Sequence, residues 1–209
     1  MLKVISYKNI AANADLFYSQ FQLRHREFIE RQHYDVKTFD GMEFDEYDTL
    51  ASVYLVYTRD NKTVLGCSRL TPLEYGCMLA DHFAELVDDK SIFSAPKVWE
   101  GTRFCIDKRL APDERRDICF ALCAGYLEFG LAHGIEQIIG TMQTAILRSV
   151  WERSGVALKR LGPVRKIGDH AKVQAASILV SREQARSVTA YRDAHLSLTQ
   201  ATEDRLHVA

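Results

Sequence analysis

Apolar residues recur with helical spacing from about residue 10 to 31, at Ile10, Leu16, Phe17, Phe21, Leu23 and Phe28, and predict an amphipathic first helix. Residues 32 to 50 break that period and are mostly polar. A loop of this length inside a compact domain tends to carry function. Two β-rich runs follow, ASVYLVYT at 51–58 and TVLGCSRL at 63–70, and the intervening RDNK predicts an antiparallel hairpin. A short helix is expected near MLADHFAELV and a strand over VWEGTRFCID at 98–107, with Pro112 opening a long helix that closes at Gly134. IEQIIGTM then reads as a buried strand, TAILRSVWERSG as a helix stopped by Gly155, KVQAASILV as a late strand and REQARSVTAYRDAH as a last helix.

That order (helix, hairpin, strand, helix, strand, helix, strand, helix) predicts an α/β/α layered domain with a mixed central sheet. Without repeats, low-complexity tracts or a Pro/Gly/Ser linker, the 209 residues are expected to form a single domain over 1–209.

Composition changes this picture little; charge distribution changes it more. The formal net charge of -1 conceals 11 Lys+Arg against 16 Asp+Glu in residues 1–100 and 16 against 12 in the remainder. An acidic partner for the second half fits this imbalance, whereas no basic stripe or helix-turn-helix pattern supports nucleic-acid binding. The cysteines at 67, 77, 105, 119 and 123 form no CxxC pair, which reads as reduced thiols in a cytoplasm. Neither a secretory signal nor an apolar run long enough to span a membrane is present in the sequence.

The candidate chemistry lies in charges set among apolar neighbours. MEFDEYD places Glu43, Asp45, Glu46 and Asp48 within one short segment. These form either a solvated acidic loop or, through Asp45 and Asp48, a seat for a cationic group. Arg69 interrupts a strand and could pair with either aspartate or with a substrate carboxylate. Glu100 and Arg103 lie three positions apart on one strand, and an ideal strand would send them to opposite faces. With Gly101 between them, either a bulge that turns both to one cleft or separate duties for the two would reconcile them, and a local irregularity is expected.

Arg24 and Phe28 in LRHREFIERQ, Asp45 and Asp48 in MEFDEYD, Arg69 in GCSRLTP, and Glu100 with Arg103 in WEGTRFCID stand in the order and spacing of the acyl-homoserine lactone synthases. Over about residues 20–155 the chain resembles this family of LuxI-type autoinducer synthases. One departure is Tyr34, where the family usually has Trp; the aromatic face is kept with less area and an added hydroxyl.

The resemblance implies a fold similar to that of the N-acetyltransferases (GNAT). It also implies a cytoplasmic, quorum-sensing acyltransferase that joins an acyl group to the amine of S-adenosylmethionine (SAM) and then closes the lactone. SAM is a substrate, with no separate cofactor and no metal. The acyl donor is acyl carrier protein or acyl-CoA. Glu100 is the implied base, with Arg103, Asp45, Asp48 and Arg69 beside it, and Arg24, Phe28, Tyr34 and Arg103 would bind SAM. Donors to the thioester oxyanion would come from backbone N–H groups near 103–105. The acyl pocket would use Thr102, Phe104, Thr141 and Thr144, and an acidic carrier would dock on Arg148, Arg153, Lys159, Arg160, Arg165 and Lys166.

Two rivals compete with this reading. A GNAT-type N-acyltransferase using acyl-CoA usually carries a Gly-rich phosphate loop, but here DKRLAPDERRD has no glycine and offers only arginine side chains. A non-catalytic small-molecule sensor domain would bind ligand without turnover. If the Thr141 hydroxyl holds the ketone of a 3-oxo acyl chain, Thr141→Val lowers the ratio of 3-oxo to unsubstituted lactone; an unchanged ratio in product analysis removes Thr141 from that role.

Overall fold

The computed structural model describes residues 1–167 and 171–206, apart from the side chains of residues 171 and 195–206. In chain order the elements are β1 (Leu2–Ile5), α1 (Ala14–Arg24), the short pair β2 (Thr38–Phe39) and β3 (Met42–Glu43), β4 (Val53–Thr58), β5 (Val64–Pro72) and α2 (Met78–His82). They continue with β6 (Val98–Ile106), α3 (Pro112–Ala132), β7 (Gln137–Gln143), α4 (Thr144–Ile146), β8 (Leu158–Arg160), β9 (Arg165–Ile167), β10 (Ala171–Leu179) and α5 (Arg182–Leu206). The main sheet runs β1-β4-β5-β6-β7-β10-β8, with β9 also on β10. Among these pairings β6 with β7 is the parallel one.

The mixed sheet with helices on both faces agrees with the sequence reading. Along β4, Val53 and Leu55 join the core under α3, while Tyr54 and Val56 join the core under α1. Alternate residues of one apolar strand therefore feed two cores. α3 starts with Pro112 and carries Asp113 and Glu114 in its first turn, and the chain turns at Gly134 with a φ of 66°. Val188 of α5 packs into the same core as α3. The strands that escape the sequence pattern, β1, β2, β3, β8 and β9, are two to four residues long, too short for an alternation to be recognised. All five cysteines are buried thiols.

Two features of the sheet create the space for a site. β6 and β7 pair through Val98, Trp99 and Glu100 with Gln137, Ile138 and Ile139, and beyond Glu100 no further partners join them. The strands part there because β6 continues along β5 and β7 continues along β10. At the fork the backbones are so close that a Cβ on Gly140 would lie 2.6 Å from the carbonyl oxygen of Gly101.

The second feature is a bulge. Cys67 faces Cys105 and Arg69 faces Thr102, so Ser68 stands against both Arg103 and Phe104. Arg103 occupies the left-handed region with a φ of 54°, a conformation that costs a non-glycine residue about 1–2 kcal/mol. The irregularity expected near Gly101 thus falls at Arg103, while Gly101 fits beneath Tyr126, whose ring a Cβ would meet at 2.7 Å.

The helical path of α1 continues as a π-helical segment, His25–Glu30, and α4 continues as a second one, Leu147–Trp151. Both flank the opening between β6 and β7, and π segments recur at functional sites because they redirect side chains by one extra residue per turn. Gly140→Ala is expected to lower unfolding free energy by about 1–3 kcal/mol, because the clash is with backbone. Urea denaturation within error of the unsubstituted protein would contradict so close an approach at the fork.

Candidate functional site

The parted strands open into a cleft of about 1860 Å³, walled by the 27–37 segment, the 43–47 loop, β6, β7 and the start of α3. Ligand pockets usually measure about 300–1,000 Å³, so this cleft has room for two substrates. Behind Gly101 and Gly140 lies a small apolar void of about 30 Å³ among Tyr126, Met142, Leu147 and Trp151.

On one side of the cleft stands a network of three arginines and three carboxylates. Arg24, which is 0% exposed, gives its Nε to Glu43 at 2.6 Å and both terminal nitrogens to Asp48 at 2.8 Å. Arg69, 1% exposed, donates from Nε to Thr102 Oγ1 at 3.0 Å and from its terminal nitrogens to Asp45 and Asp48. Arg103 reaches Glu43 at 3.0 Å and Asp45 at 2.6 Å. Asp48 also accepts the Tyr54 hydroxyl and the Asp45 N–H. Unpaired buried charges are prohibitively costly, and here the three positive and three negative charges cancel.

Burial works against ionisation of Asp48, but Arg24 and Arg69 hold its carboxyl well below the ordinary carboxylate range. For Arg24, burial favours loss of the proton, yet Asp48 and Glu43 outweigh it and hold the guanidinium charged.

The structure therefore separates residues that the sequence placed together. Arg24, Arg69 and Asp48 stand behind the cleft wall, and Arg103, Asp45 and Glu43 line it. Arg24, expected at the SAM site, has no exposed surface and every guanidinium nitrogen committed to a carboxylate, so that it anchors the acidic loop. Of the three arginines, Arg103 has the exposed side chain, at 14%. Its terminal nitrogen Nη1 lies 3.6 Å from Met78 Sδ, and its guanidinium carbon lies 5.9 Å from the centre of the Phe28 ring. Phe28 and Tyr34 stack nearly parallel, 5.9 Å apart, and both face the cleft.

Glu43 is the member of the charge network that spacing did not single out. It bridges Arg24 and Arg103 with 0% exposure, and its signal in the sequence was membership of the acidic run.

Glu100 is 1% exposed and is not among the residues lining the cleft. Its two oxygens accept the Leu79 and Met78 N–H groups at 2.7 and 2.8 Å. Burial pushes its pKa up to about 7 against the pull of those two amides and of Arg69.

Thr102, Phe104 and Thr141 line the cleft; Thr144, at the start of α4, is not brought to it. The Thr141 hydroxyl donates a long 3.4 Å bond to the Gln174 carbonyl. Of the six basic residues expected to dock a carrier, Arg153 lines the cleft. Arg148, Lys159, Arg165 and Lys166 are exposed elsewhere on that half of the molecule, and Arg160 is paired with Glu152 at 2.6 Å. The arginine-rich stretch after β6 adds Lys108, Arg115 and Arg116 to the cleft.

A family described as Autoinducer synthase matches residues 8–188. The chain belongs to the autoinducer synthase family. It is 32% identical to an acyl-homoserine-lactone synthase of Agrobacterium fabrum over 154 residues, 71% of this chain and 72% of that one. Its fold is similar to that of BjaI, a CoA-dependent acyl-homoserine lactone synthase solved with SAM and isopentyl-CoA (TM-score 0.81, 27% identity, 92% of this chain and 89% of that one). A putative N-acetyltransferase from Lactobacillus plantarum shares the fold at a TM-score of 0.55 and 18% identity, covering 86% of this chain and 99% of that one.

Glu43→Ala leaves the buried Arg24 short of a partner and is expected to cost about 3–5 kcal/mol of stability, read by denaturant unfolding. The Asp48 contribution is complete above its ordinary value of 3.8 and is lost as pH falls below it; a protein whose stability is flat from pH 5 to well below 3 would contradict the depressed carboxyl.

Proposed function

We propose that the protein is an acyl-homoserine lactone synthase that makes a quorum-sensing signal from SAM and an acyl thioester. The observation that carries this reading is Arg103. It lies beside a fork in the sheet, raised into an αL bulge, braced by Glu43 and Asp45, and partly open to a two-substrate cleft.

In this reading Arg103 takes the methionine carboxylate of SAM with N–H groups its carboxylates leave unused. Asp45 and Glu43 keep it in place, and Arg24, Arg69 and Asp48 brace them from behind. Phe28, Tyr34 and Tyr47 give the cleft aromatic faces for adenine and the sulfonium. The acyl thioester lies along β6 beyond Glu100, where the strand has no β7 partner and its amides can serve a tetrahedral oxyanion. The acyl tail runs past Phe104 and Thr141 toward the apolar void.

The amine forms a bond to the thioester carbon while the carbon–sulfur bond breaks and the thiol leaves. The carboxylate oxygen then attacks the carbon bonded to the sulfonium, closing the lactone and expelling methylthioadenosine. Both substrates arrive activated, so the reaction requires no further cofactor. Among the described residues no group of three His, Cys, Asp or Glu is placed to hold a metal ion, and no helix is long and apolar enough to cross a membrane. Thioester donors and SAM are made in the cytoplasm, where the enzyme would act.

The donor is acyl-CoA or acyl carrier protein. Lys108, Arg115, Arg116 and Arg153 at the cleft suit the phosphates of either one's pantetheine arm. The N-terminal amide before α3, from Ala111, is taken by Glu114 at 3.1 Å, which disfavours the pyrophosphate cradle of an ordinary N-acetyltransferase. With SAM and a series of acyl-CoA and acyl-carrier substrates, mass spectrometry is expected to show a lactone and methylthioadenosine in equal amounts. Binding of SAM with no turnover of any donor would instead support the sensor reading.

A further inference from the structure

Glu100 is the acidic residue of β6 that stands apart from both the arginine network and the cleft. Its carboxylate accepts the first two amides of α2, and Cys77, which precedes that helix, supplies no side-chain cap. A carboxylate in this position satisfies helix N-terminal N–H groups that would otherwise lack acceptors. Met78, the first residue so held, lines the cleft and puts its sulfur beside Arg103 Nη1 at 3.6 Å. Arg103 therefore receives its placement along two routes that both start on β6. One is the backbone bulge, and the other runs from Glu100 through the start of α2 to Met78. A base must come within hydrogen-bond reach of the proton it takes, and Glu100 is buried with each oxygen engaged by an amide and is not among the residues lining the cleft.

We propose that Glu100 is a positioning residue, which fixes the start of α2 so that Met78 sets the free edge of Arg103 for the carboxylate of SAM, and that the amine reacts without a carboxylate base. This rests on the synthase reading above. The neutral amine forms its bond to the thioester carbon, the carbon–sulfur bond breaks, and the proton shed by nitrogen leaves with the departing thiolate. An α-amino group titrates at about 8 and a thiol at about 8.5, so the amine is partly neutral at physiological pH and the thiolate can accept that proton.

In Glu100→Gln the amide oxygen keeps one of the two N–H groups, and the new NH2 cannot accept the other. Loss of one such bond is expected to raise the KM for SAM by about tenfold while kcat changes by less than about fivefold. The rise of kcat/KM with pH should remain, centred at about 8. Met78→Ala, which lies at the cleft rather than in the core, is expected to raise the KM for SAM in the same direction, and the double variant to show less than the product of the two effects.

A loss of kcat of about 10²–10⁴-fold in Glu100→Gln, with the pH dependence abolished, would establish a general base and overturn the proposal. So would an unchanged KM for SAM in Met78→Ala, which decides the matter even if Glu100→Gln does not fold. Calorimetric titration with SAM in the same variants separates this outcome from failure of the synthase reading. Wild-type protein that turns over no donor would sink that reading, whereas equal SAM affinity in wild type and both variants would sink the positioning role.

Discussion

Three guanidinium groups lie at or beneath the wall of one cleft, two of them where water does not reach, and each must be neutralised. That requirement organises this half of the molecule. Arg24 comes from a helix and Arg69 and Arg103 from adjacent strands, while all three carboxylates come from the segment around β3. The polar stretch that breaks the hydrophobic pattern is thereby tied to both the sheet and α1. A pair such as Arg24 with Asp48 adds little stability over an apolar pair of equal shape, yet it is costly to break. Its effect here is placement, because the acidic loop has no apolar core of its own to hold it.

The same network accounts for the strain at Arg103. An arginine at the αL position of a bulge is disfavoured where glycine would be free, and two carboxylates offset that cost while aiming the side chain. The bulge also reverses the alternation of β6. Arg103 shares a face with Thr102 and Arg69, and Phe104 returns to the face of Tyr126 and Trp151. One strand consequently presents a charged face on one side and an aromatic one on the other.

Parting of β6 from β7 supplies the rest. A parallel pair that ends after three residues leaves strand edge inside the protein, a liability unless something occupies it. Here the edge opens into a cleft, where its hydrogen-bonding positions face no neighbouring strand. The close contact of Gly101 with Gly140 sets where the fork begins.

By itself the sequence determined the order of the long helices and strands, the mixed layered sheet, and the set of charges that mark the family. Those are written in hydrophobic periods and in residue spacing, which survive without coordinates. Edge strands of two to four residues were invisible because such short segments carry no period. Glu43 and Met78 meet Arg103 only through contacts across long stretches of chain. Tertiary structure alone decided that Arg24 and Arg69 brace the site while Arg103 faces it, and that Glu100 points toward α2. Spacing can bring charges to the same neighbourhood, but burial and the geometry of each hydrogen bond decide which of them meets a substrate.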